Sequence, residues 1–190
     1  MLSVVIPTFD SERALVPTLA MLVPAAVSGI VRDVTIADGR STDATLEVAD
    51  VAGCNVVASS APLAQRLREA AAMARAPWLM FLRPGTILDA PWIGEASRFM
   101  DAPSPTPYAA VFRRSAPARQ SIGDMLSRFA ATLGATPKPE QGLLLPRQFY
   151  DALGGHAETA ADAETDLLRR IGRRRLATLS SGASMSRFNT

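Results

Sequence analysis

Short hydrophobic runs recur along the first half of the chain, and each is followed by a polar turn and an amphipathic stretch. The first run, Leu-Ser-Val-Val-Ile at 2–6, places β-branched residues side by side instead of alternating them with polar ones. Such a run is typical of a strand that is covered on both faces in a parallel sheet. Comparable patterns predict three further strands with helices between them, the strands at 34–37, 55–58 and 78–82 and the helices at 11–22, 63–74 and 92–100. This alternation predicts an α/β fold with a mostly parallel central sheet and helices on both faces.

The exit of the first strand is the first candidate site. Pro7 lacks a backbone donor, so we expect the strand to end there. Thr8 and Asp10 then lie at the carboxyl end of a central parallel strand, where open α/β sheets bind ligands. Taken alone, these residues favour the ordinary polar exit of a buried strand over a binding site.

The second half of the chain has a different pattern. Apolar runs predict strands at 109–112, 142–145 and 176–179, and helices at 147–153 and 162–171. Ile122, Met125, Leu126, Phe129 and Leu133 form a helical stripe that fits either the core or the face of a homodimer. The polar tail from Ser180 is expected to be loosely held.

Composition narrows the class of protein. A chain of 190 residues suits one domain with a full core, and a formal net charge of +2 gives no reason to expect nucleic acid as a partner. The single cysteine, Cys54, excludes an internal disulfide framework and fits a reducing compartment. The uncharged stretch at 14–31 is interrupted by prolines and glycine, and the chain opens on a strand without a secretory signal. We therefore expect a cytoplasmic protein.

Three motifs line up in order: Ser-Val-Val-Ile-Pro-Thr-Phe at 3–9, Ala-Asp-Gly-Arg-Ser-Thr-Asp at 37–43 and Trp-Leu-Met-Phe-Leu-Arg-Pro-Gly-Thr at 78–86. Together with the segments at 140–147, 150–155 and 162–170, they resemble family 2 glycosyltransferases. That family has the GT-A fold and transfers sugars from nucleotide sugars with inversion. The resemblance spans almost the whole chain. It implies one GT-A-like domain over 1–190, with a nucleotide-binding half at 1–100 and an acceptor-side half at 101–190.

The resemblance also implies which residues hold a UDP- or GDP-linked sugar. The Pro-Thr exit and the acidic turn match Pro7, Thr8 and Asp38, with Asp10 nearby. A carboxylate can accept a hydrogen bond from a base N–H, and a threonine can fix the ribose. Asp38 could instead only close its turn. Arg66, on the helix before the fourth strand, could aim a cation at the nucleotide or belong to an exposed basic face.

The main departure from the family lies after the fourth strand. Relatives carry an Asp-x-Asp motif there, whose carboxylates hold Mg²⁺ or Mn²⁺ against the leaving diphosphate. This chain has Arg83-Pro84-Gly85, which offers no acidic oxygen, so we expect no metal site at this motif. Either Arg83 replaces the metal as a fixed cation, since a guanidinium binds phosphate bidentately, or the site has lost catalysis.

The second departure concerns the catalytic base. Relatives supply it from a Glu-Asp pair, and the matching residues here are Ala163 and Glu164. Glu164 is either the base or a first-turn helix residue that favours the macrodipole, and Asp162 and Asp166 are neighbours that could substitute for it. On the acceptor side the resemblance points to Glu140, Gln141 and His156, although a lone histidine equally fits an ordinary loop.

Two competing functions follow from these departures. The chain is either a transferase acting on an unknown acceptor, or a catalytically inactive GT-A-fold protein that serves as a binding or assembly partner. A dinucleotide-binding protein is disfavoured because no Gly-x-Gly-x-x-Gly follows a strand. The arginine run at 169–175 could contact the inner face of an anionic membrane, or it could be a solvated helix end.

Overall fold

The computed structural model describes residues 1–103, 109–115 and 137–186. Its strands form one eight-stranded sheet in the order β3-β2-β1-β4-β7-β6-β8-β5. The strands are β1 (Leu2–Thr8), β2 (Val31–Asp38), β3 (Asn55–Ala58), β4 (Trp78–Phe81), β5 (Thr86–Leu88), β6 (Ala109–Arg114), β7 (Leu143–Pro146) and β8 (Leu176–Met185). The helices are α1 (Glu12–Val27), α2 (Thr45–Val51), α3 (Leu63–Met73), α4 (Trp92–Asp101), α5 (Arg147–Ala152) and α6 (Ala163–Ile171). Short 3₁₀ turns occur at Pro139–Gln141 and Arg173–Arg175.

The strand directions determine which loops share an edge of the sheet. β1 pairs in parallel with both β2 and β4, and β2 pairs in parallel with β3. β7 runs antiparallel to β4 and β6, and β8 runs parallel to β6. The carboxyl ends of β1, β2, β4, β6 and β8 therefore lie at one edge, which we call the carboxyl edge, together with the amino end of β7. The predicted mostly parallel sheet is confirmed.

Helices cover both faces of this sheet, as predicted. Leu2, Val4 and Ile6 face one side of β1 and pack in a cluster with apolar residues of α1, α2 and α4. Val5 faces the other side and packs with residues of α3, α5 and α6. Val4, Val5 and Ile6 are fully buried, as their unbroken apolar run predicts.

Two predicted boundaries in the first half are wrong. β1 continues through Pro7 to Thr8, because its pairing with β4 ends at Val5 and only β2 continues beside it. α1 does not stop before Pro24 but continues to Val27. A proline removes the hydrogen bond to the carbonyl four residues earlier. For Pro24 that carbonyl belongs to Ala20, which is exposed, so water can satisfy it.

The prediction of a loosely held tail is also wrong for residues 180–185, which continue β8. A bulge between Leu179 and Gly182 interrupts its pairing with β6, and the end of β8 then pairs with the short strand β5. The stripe from Ile122 to Leu133 lies outside the described residues. Among the described residues no helix is long and apolar enough to cross a membrane.

Candidate functional site

The exits of β1 and β2 are joined by hydrogen bonds at the carboxyl edge. The Gly39 N–H donates to the Thr8 carbonyl at 2.8 Å, and the Asp10 N–H donates to Ser41 Oγ at 2.9 Å. The exit of β4 is tied to α1, which follows β1, because the Gly85 N–H donates to the Ala14 carbonyl at 2.8 Å. The three loops that carry the family motifs therefore surround one part of this edge.

Asp38 is the buried centre of the β1–β2 junction. Its Oδ1 accepts hydrogen bonds from Thr8 Oγ1 at 2.8 Å and Ser41 Oγ at 2.5 Å, and its Oδ2 accepts one from the Ser41 N–H at 2.8 Å. Burial alone would raise the pKa of this carboxyl, but the hydrogen bonds from Ser41 and Thr8 outweigh it and lower the pKa. Asp38 and Thr8 are both buried, so in this arrangement they shape the loop from within.

Phe9 and Asp10 are among the residues of this junction that face solvent. Asp10 has a φ of 43°, and its Oδ1 accepts hydrogen bonds from the Thr42 N–H at 2.7 Å and the Asp43 N–H at 3.4 Å. Phe9 is 65% exposed, and a Cβ at Gly39 would lie 3.0 Å from its ring. An exposed aromatic at a ligand edge is a surface on which a flat base can stack. Phe9 was not among the predicted site residues, and its place after Pro-Thr is the one sequence signal that points to it.

Arg66 closes the same junction from α3. Its Nη1 donates to the carbonyls of Ala37 at 2.7 Å and Thr8 at 3.2 Å, so it holds the ends of β1 and β2 together. Burial lowers the pKa of its guanidinium, and the charge of Asp38 opposes that effect. Within the described residues its Nη2 makes no hydrogen bond. Arg66 is therefore half-buried. Its Nη1 joins the ends of the two strands, and its Nη2 takes no part in that contact.

Arg83 and two glutamates form a charged cluster at the exit of β4. Glu164 Oε2 accepts hydrogen bonds from Arg83 Nε at 3.0 Å and Nη2 at 2.6 Å, and Glu140 Oε1 accepts one from Nη1 at 2.8 Å. Burial alone would lower the pKa of Arg83, but the hydrogen bond and charge of Glu164, with the charges of Glu140 and Asp162, raise it. The guanidinium is thus a permanent cation fixed in position between two carboxylates.

This cluster does not fit a divalent metal ion. Hard cations such as Mg²⁺ need several oxygen ligands with no competing cation among them, and Arg83 stands between the two carboxylates. Across residues 1–103, 109–115 and 137–186, no group of three or more acidic, histidine or cysteine side chains could hold a metal ion. The donor set at the β4 exit therefore disagrees with the metal chemistry that the family resemblance implies.

The start of α6 orients Glu164. Asp162 caps the helix, with Oδ1 accepting from the Thr165 N–H at 3.1 Å. The hydrogen bonds from the Thr165 side chain and N–H lower the pKa of Asp162. Asp166 instead pairs with Arg170 at 2.7 Å on the helix surface. Of the three acids at 162–166, Glu164 is the one that contacts Arg83, although Asp162 lies close enough for its charge to act on that side chain.

The other two residues predicted for the acceptor side make contacts within the fold. Gln141 Nε2 donates to the Phe112 carbonyl at 2.7 Å, and its Oε1 accepts from the Lys138 N–H at 2.9 Å. His156 is 1% exposed, and its Nδ1 lies 2.9 Å from Tyr150 Oη. Burial, with a smaller contribution from the charge of Arg170, lowers the pKa of His156 to about 3, so this imidazole is neutral at physiological pH.

The arginine run lies away from the site. Arg173–Arg175 directly precede β8, whose first residue pairs with the first residue of β6. That end of β6 belongs to the edge opposite the carboxyl edge. Arg175 is engaged by the fold, since its Nε donates to the Ile171 carbonyl at 3.0 Å and its guanidinium lies 5.4 Å from the Phe149 ring centre.

The fold matches solved structures of glycosyltransferases. Glucosyl-3-phosphoglycerate synthase from Mycobacterium tuberculosis, solved with Mn²⁺, UDP and phosphoglyceric acid, superposes with a TM-score of 0.70 at 16% identity, over 97% of this chain and 70% of that one. S. aureus TarS, residues 1–349, superposes with a TM-score of 0.67 at 19% identity, over 94% of this chain and 58% of that one. TarS has also been solved in complex with UDP.

These similarities establish the GT-A fold that the sequence motifs predict. No protein-family model matches the chain, and no curated protein matches its sequence.

Proposed function

We propose that this protein is an inverting glycosyltransferase that uses a nucleotide sugar, with a fixed arginine in place of the family's metal ion. The observation that carries the proposal is the Arg83–Glu164 pair, a permanent cation and a carboxylate 2.6 Å apart at the exit of β4 on a GT-A fold. A leaving diphosphate needs a positive charge, and an acceptor hydroxyl needs a base. The pair offers both groups side by side.

The donor side of the proposal lies at the β1–β2 junction. Solved neighbours were crystallised with UDP, which makes a uridine nucleotide the first donor to test, with a GDP-linked sugar as the alternative. Phe9 offers a face for the base, Asp10 offers a carboxylate oxygen to a base or ribose donor, and Arg66 Nη2 is available to a phosphate. Pro7, Thr8 and Asp38 contribute by fixing the loop that presents these groups.

In the proposed reaction, the acceptor oxygen attacks the anomeric carbon from the face opposite the leaving group. The new glycosidic C–O bond forms as the bond from that carbon to the phosphate oxygen breaks, and the electron pair stays with the diphosphate. Arg83 stabilises the charge that develops there. Glu164 takes the proton of the acceptor hydroxyl through Oε1, which accepts no hydrogen bond within the described part of the chain.

The same pair also supports the second candidate, a GT-A-fold protein that binds but does not catalyse. Two N–H groups of Arg83 donate to the same oxygen of Glu164, so the pair also has the form of a structural ion pair. In that case the chain would still bind a nucleoside diphosphate at the β1–β2 junction. Turnover, and not binding, therefore separates the two candidates.

The test combines titration of UDP by calorimetry with a UDP-release assay over a panel of UDP- and GDP-sugars. We expect UDP affinity to be the same with Mg²⁺ and with a chelator, and to fall about tenfold or more in Arg83→Met. Arg68→Met is the matched control, because Arg68 also pairs with a glutamate, Glu158 at 2.9 Å, but outside the cluster. A strict metal requirement for UDP binding would refute the role of Arg83.

Variants of the two glutamates separate binding from chemistry. Glu164→Gln should retain UDP binding and lose about 10²- to 10⁴-fold in turnover, the usual contribution of a general base. Glu140→Gln should bind UDP more tightly than the wild type, because a neutral amide competes with the diphosphate for Nη1 of Arg83 less strongly than a carboxylate does. If UDP binds but no donor is turned over, the binding protein is the correct candidate. An unchanged rate in Glu164→Gln would show that another group is the base.

A further inference from the structure

A cavity of about 350 Å³ opens at the carboxyl edge next to the Arg83 cluster. It lies between the ends of β6 and β8 and the 3₁₀ turn before β7, and its walls include Arg114, Ser115, Lys138, Glu140, Gln141 and residues 183–185. This volume is at the small end of the range for ligand pockets, so it fits a small molecule and not a folded partner.

Two cations of this cavity have no protein partner within the described residues. Arg114 and Lys138 are exposed, and neither side chain forms an ion pair or donates a hydrogen bond to another described residue. The arginine next to them behaves differently, since Arg113 Nε donates to the Ser180 carbonyl at 3.1 Å. Arg114 and Lys138 come from separate elements, yet both line the same cavity. Their charges are therefore available to a ligand.

The acidic residue in the cavity does not cancel these cations. Glu140 Oε1 is engaged by Arg83 Nη1 at 2.8 Å, and Gln141 is neutral. Arg83 already serves the carboxylates of Glu140 and Glu164, with the charge of Asp162 nearby, whereas Arg114 and Lys138 pair with no carboxylate of the described residues. The unpaired charges of the cavity wall are therefore those of Arg114 and Lys138.

The order of strands places this cavity opposite the donor side. The β1–β2 junction lies on one side of β4, and β7, β6 and β8 lie on the other. The Arg83–Glu164 pair, at the exit of β4, stands between the two regions. A hydroxyl-bearing molecule seated in the cavity would therefore approach the pair from the side opposite the nucleotide.

We propose that this cavity is the acceptor site and that its acceptor is a small hydroxylated molecule carrying an anionic group, a phosphate or a carboxylate, held by Arg114 and Lys138. The assignment as an acceptor site rests on the proposed function, whereas the anion site itself does not. Guanidinium and ammonium groups bind such oxygens through charge-assisted hydrogen bonds. The same chemistry would serve a free metabolite or the headgroup of a phospholipid.

The test is direct binding, so that it does not depend on turnover. Glycerol 3-phosphate is titrated by calorimetry into the full chain already saturated with UDP, with glycerol as the uncharged comparison. If UDP does not bind, the titration is made without it, and a positive result then stands although the donor proposal has failed. Glycerol 3-phosphate should bind and glycerol should not. Arg114→Gln and Lys138→Gln should each weaken binding about tenfold.

Arg32→Gln is the matched control, because Arg32 is an exposed arginine at the start of β2, at the edge opposite the carboxyl edge. It should leave binding unchanged. Vesicles of phosphatidic acid, compared with phosphatidylcholine, identify a lipid source if they bind the wild type and not the Arg114→Gln/Lys138→Gln double variant. Equal binding of glycerol, or undiminished binding of the phosphate probe by the double variant, would overturn the proposal.

Discussion

Glu95 on α4 gives the sharpest prediction, because it stabilises the bulge that shapes β8. The bulge leaves Ser180 and Ser181 outside the regular pairing with β6. Glu95 accepts the two backbone N–H groups there, with Oε1 at 2.5 Å from Ser180 N and Oε2 at 2.7 Å from Ser181 N. The same bulge aims residues 183–185 at β5 and at the cavity wall. Replacing this carboxylate should therefore destabilise the end of β8.

The expected magnitude follows from the pKa of Glu95. Burial alone would raise it, but the hydrogen bonds from Ser181 and Ser180 lower it from 4.5 to about 2. Because one pKa unit corresponds to about 1.4 kcal/mol, this difference sets an upper bound of about 3–4 kcal/mol. Glu95 is partly exposed, so solvent screening reduces the expected loss in Glu95→Gln to about 1–2 kcal/mol at neutral pH.

The sign of the pH dependence is fixed by the direction of this pKa shift. A lowered folded-state pKa contributes stability that is fully present above 4.5 and is lost as the pH falls toward about 2. The difference in free energy of unfolding between wild type and Glu95→Gln should therefore shrink with acidification, and about half of it should be gone by about pH 3. In Glu95→Gln the corresponding contribution is absent at every pH.

The assay is urea unfolding of both proteins over this pH range, with Glu69→Gln as the control. Glu69 is exposed on α3 and accepts one hydrogen bond, from Gln65 Nε2 at 2.9 Å. Its replacement should change stability by less than about 0.5 kcal/mol. A difference between wild type and Glu95→Gln that stays constant with pH would refute the role assigned to this carboxylate.

Three further predictions concern other parts of the fold. The free energy of unfolding of the wild type should fall as the pH drops from 6.5 toward about 3, because the unfolded state protonates this histidine before the folded state does. Any loss of stability in His156→Phe, measured by urea unfolding, should therefore shrink over that range. Gly142→Ala should cost more than Gly29→Ala by thermal unfolding, because both glycines have positive φ but only at Gly142 would a Cβ meet Leu82, at 2.8 Å. Asp38→Asn should lower the melting temperature and weaken UDP binding together, whereas a loss of binding alone would show that Asp38 contacts the ligand directly.

The sequence predicted the elements whose signals are local. Val4, Val5 and Ile6 lie side by side without polar residues, and a buried parallel strand is the structure that such a run favours. Asp38 and Ser41 are three residues apart, so their pairing within one turn was accessible from spacing. The motif order also predicted the GT-A fold correctly, because that fold distributes its motifs over successive strand exits.

The missed features depend on contacts between distant parts of the chain. Residues 180–185 are small and mostly polar, and they form a strand because Glu95, on another element, satisfies the bulge and β5 pairs with its far end. Arg83 and Glu164 are 81 positions apart in the sequence, and no periodicity predicts a contact at that separation. His156 has no sequence signal of burial, yet Tyr150 and Phe81 enclose it.

The exposure of the two carboxylates on Arg83 determines how the cluster could work with a diphosphate bound. Glu164 has 10% of its side chain exposed and accepts two hydrogen bonds from Arg83 at Oε2, whereas Glu140 is 38% exposed and accepts one. Water can solvate the more exposed carboxylate if it is displaced, so Glu140 costs less to release than Glu164. An incoming diphosphate would then take the place of Glu140 on Nη1 while Glu164 keeps Arg83 in position. On this reasoning the cation proposed to replace the metal is held by the residue proposed as the base.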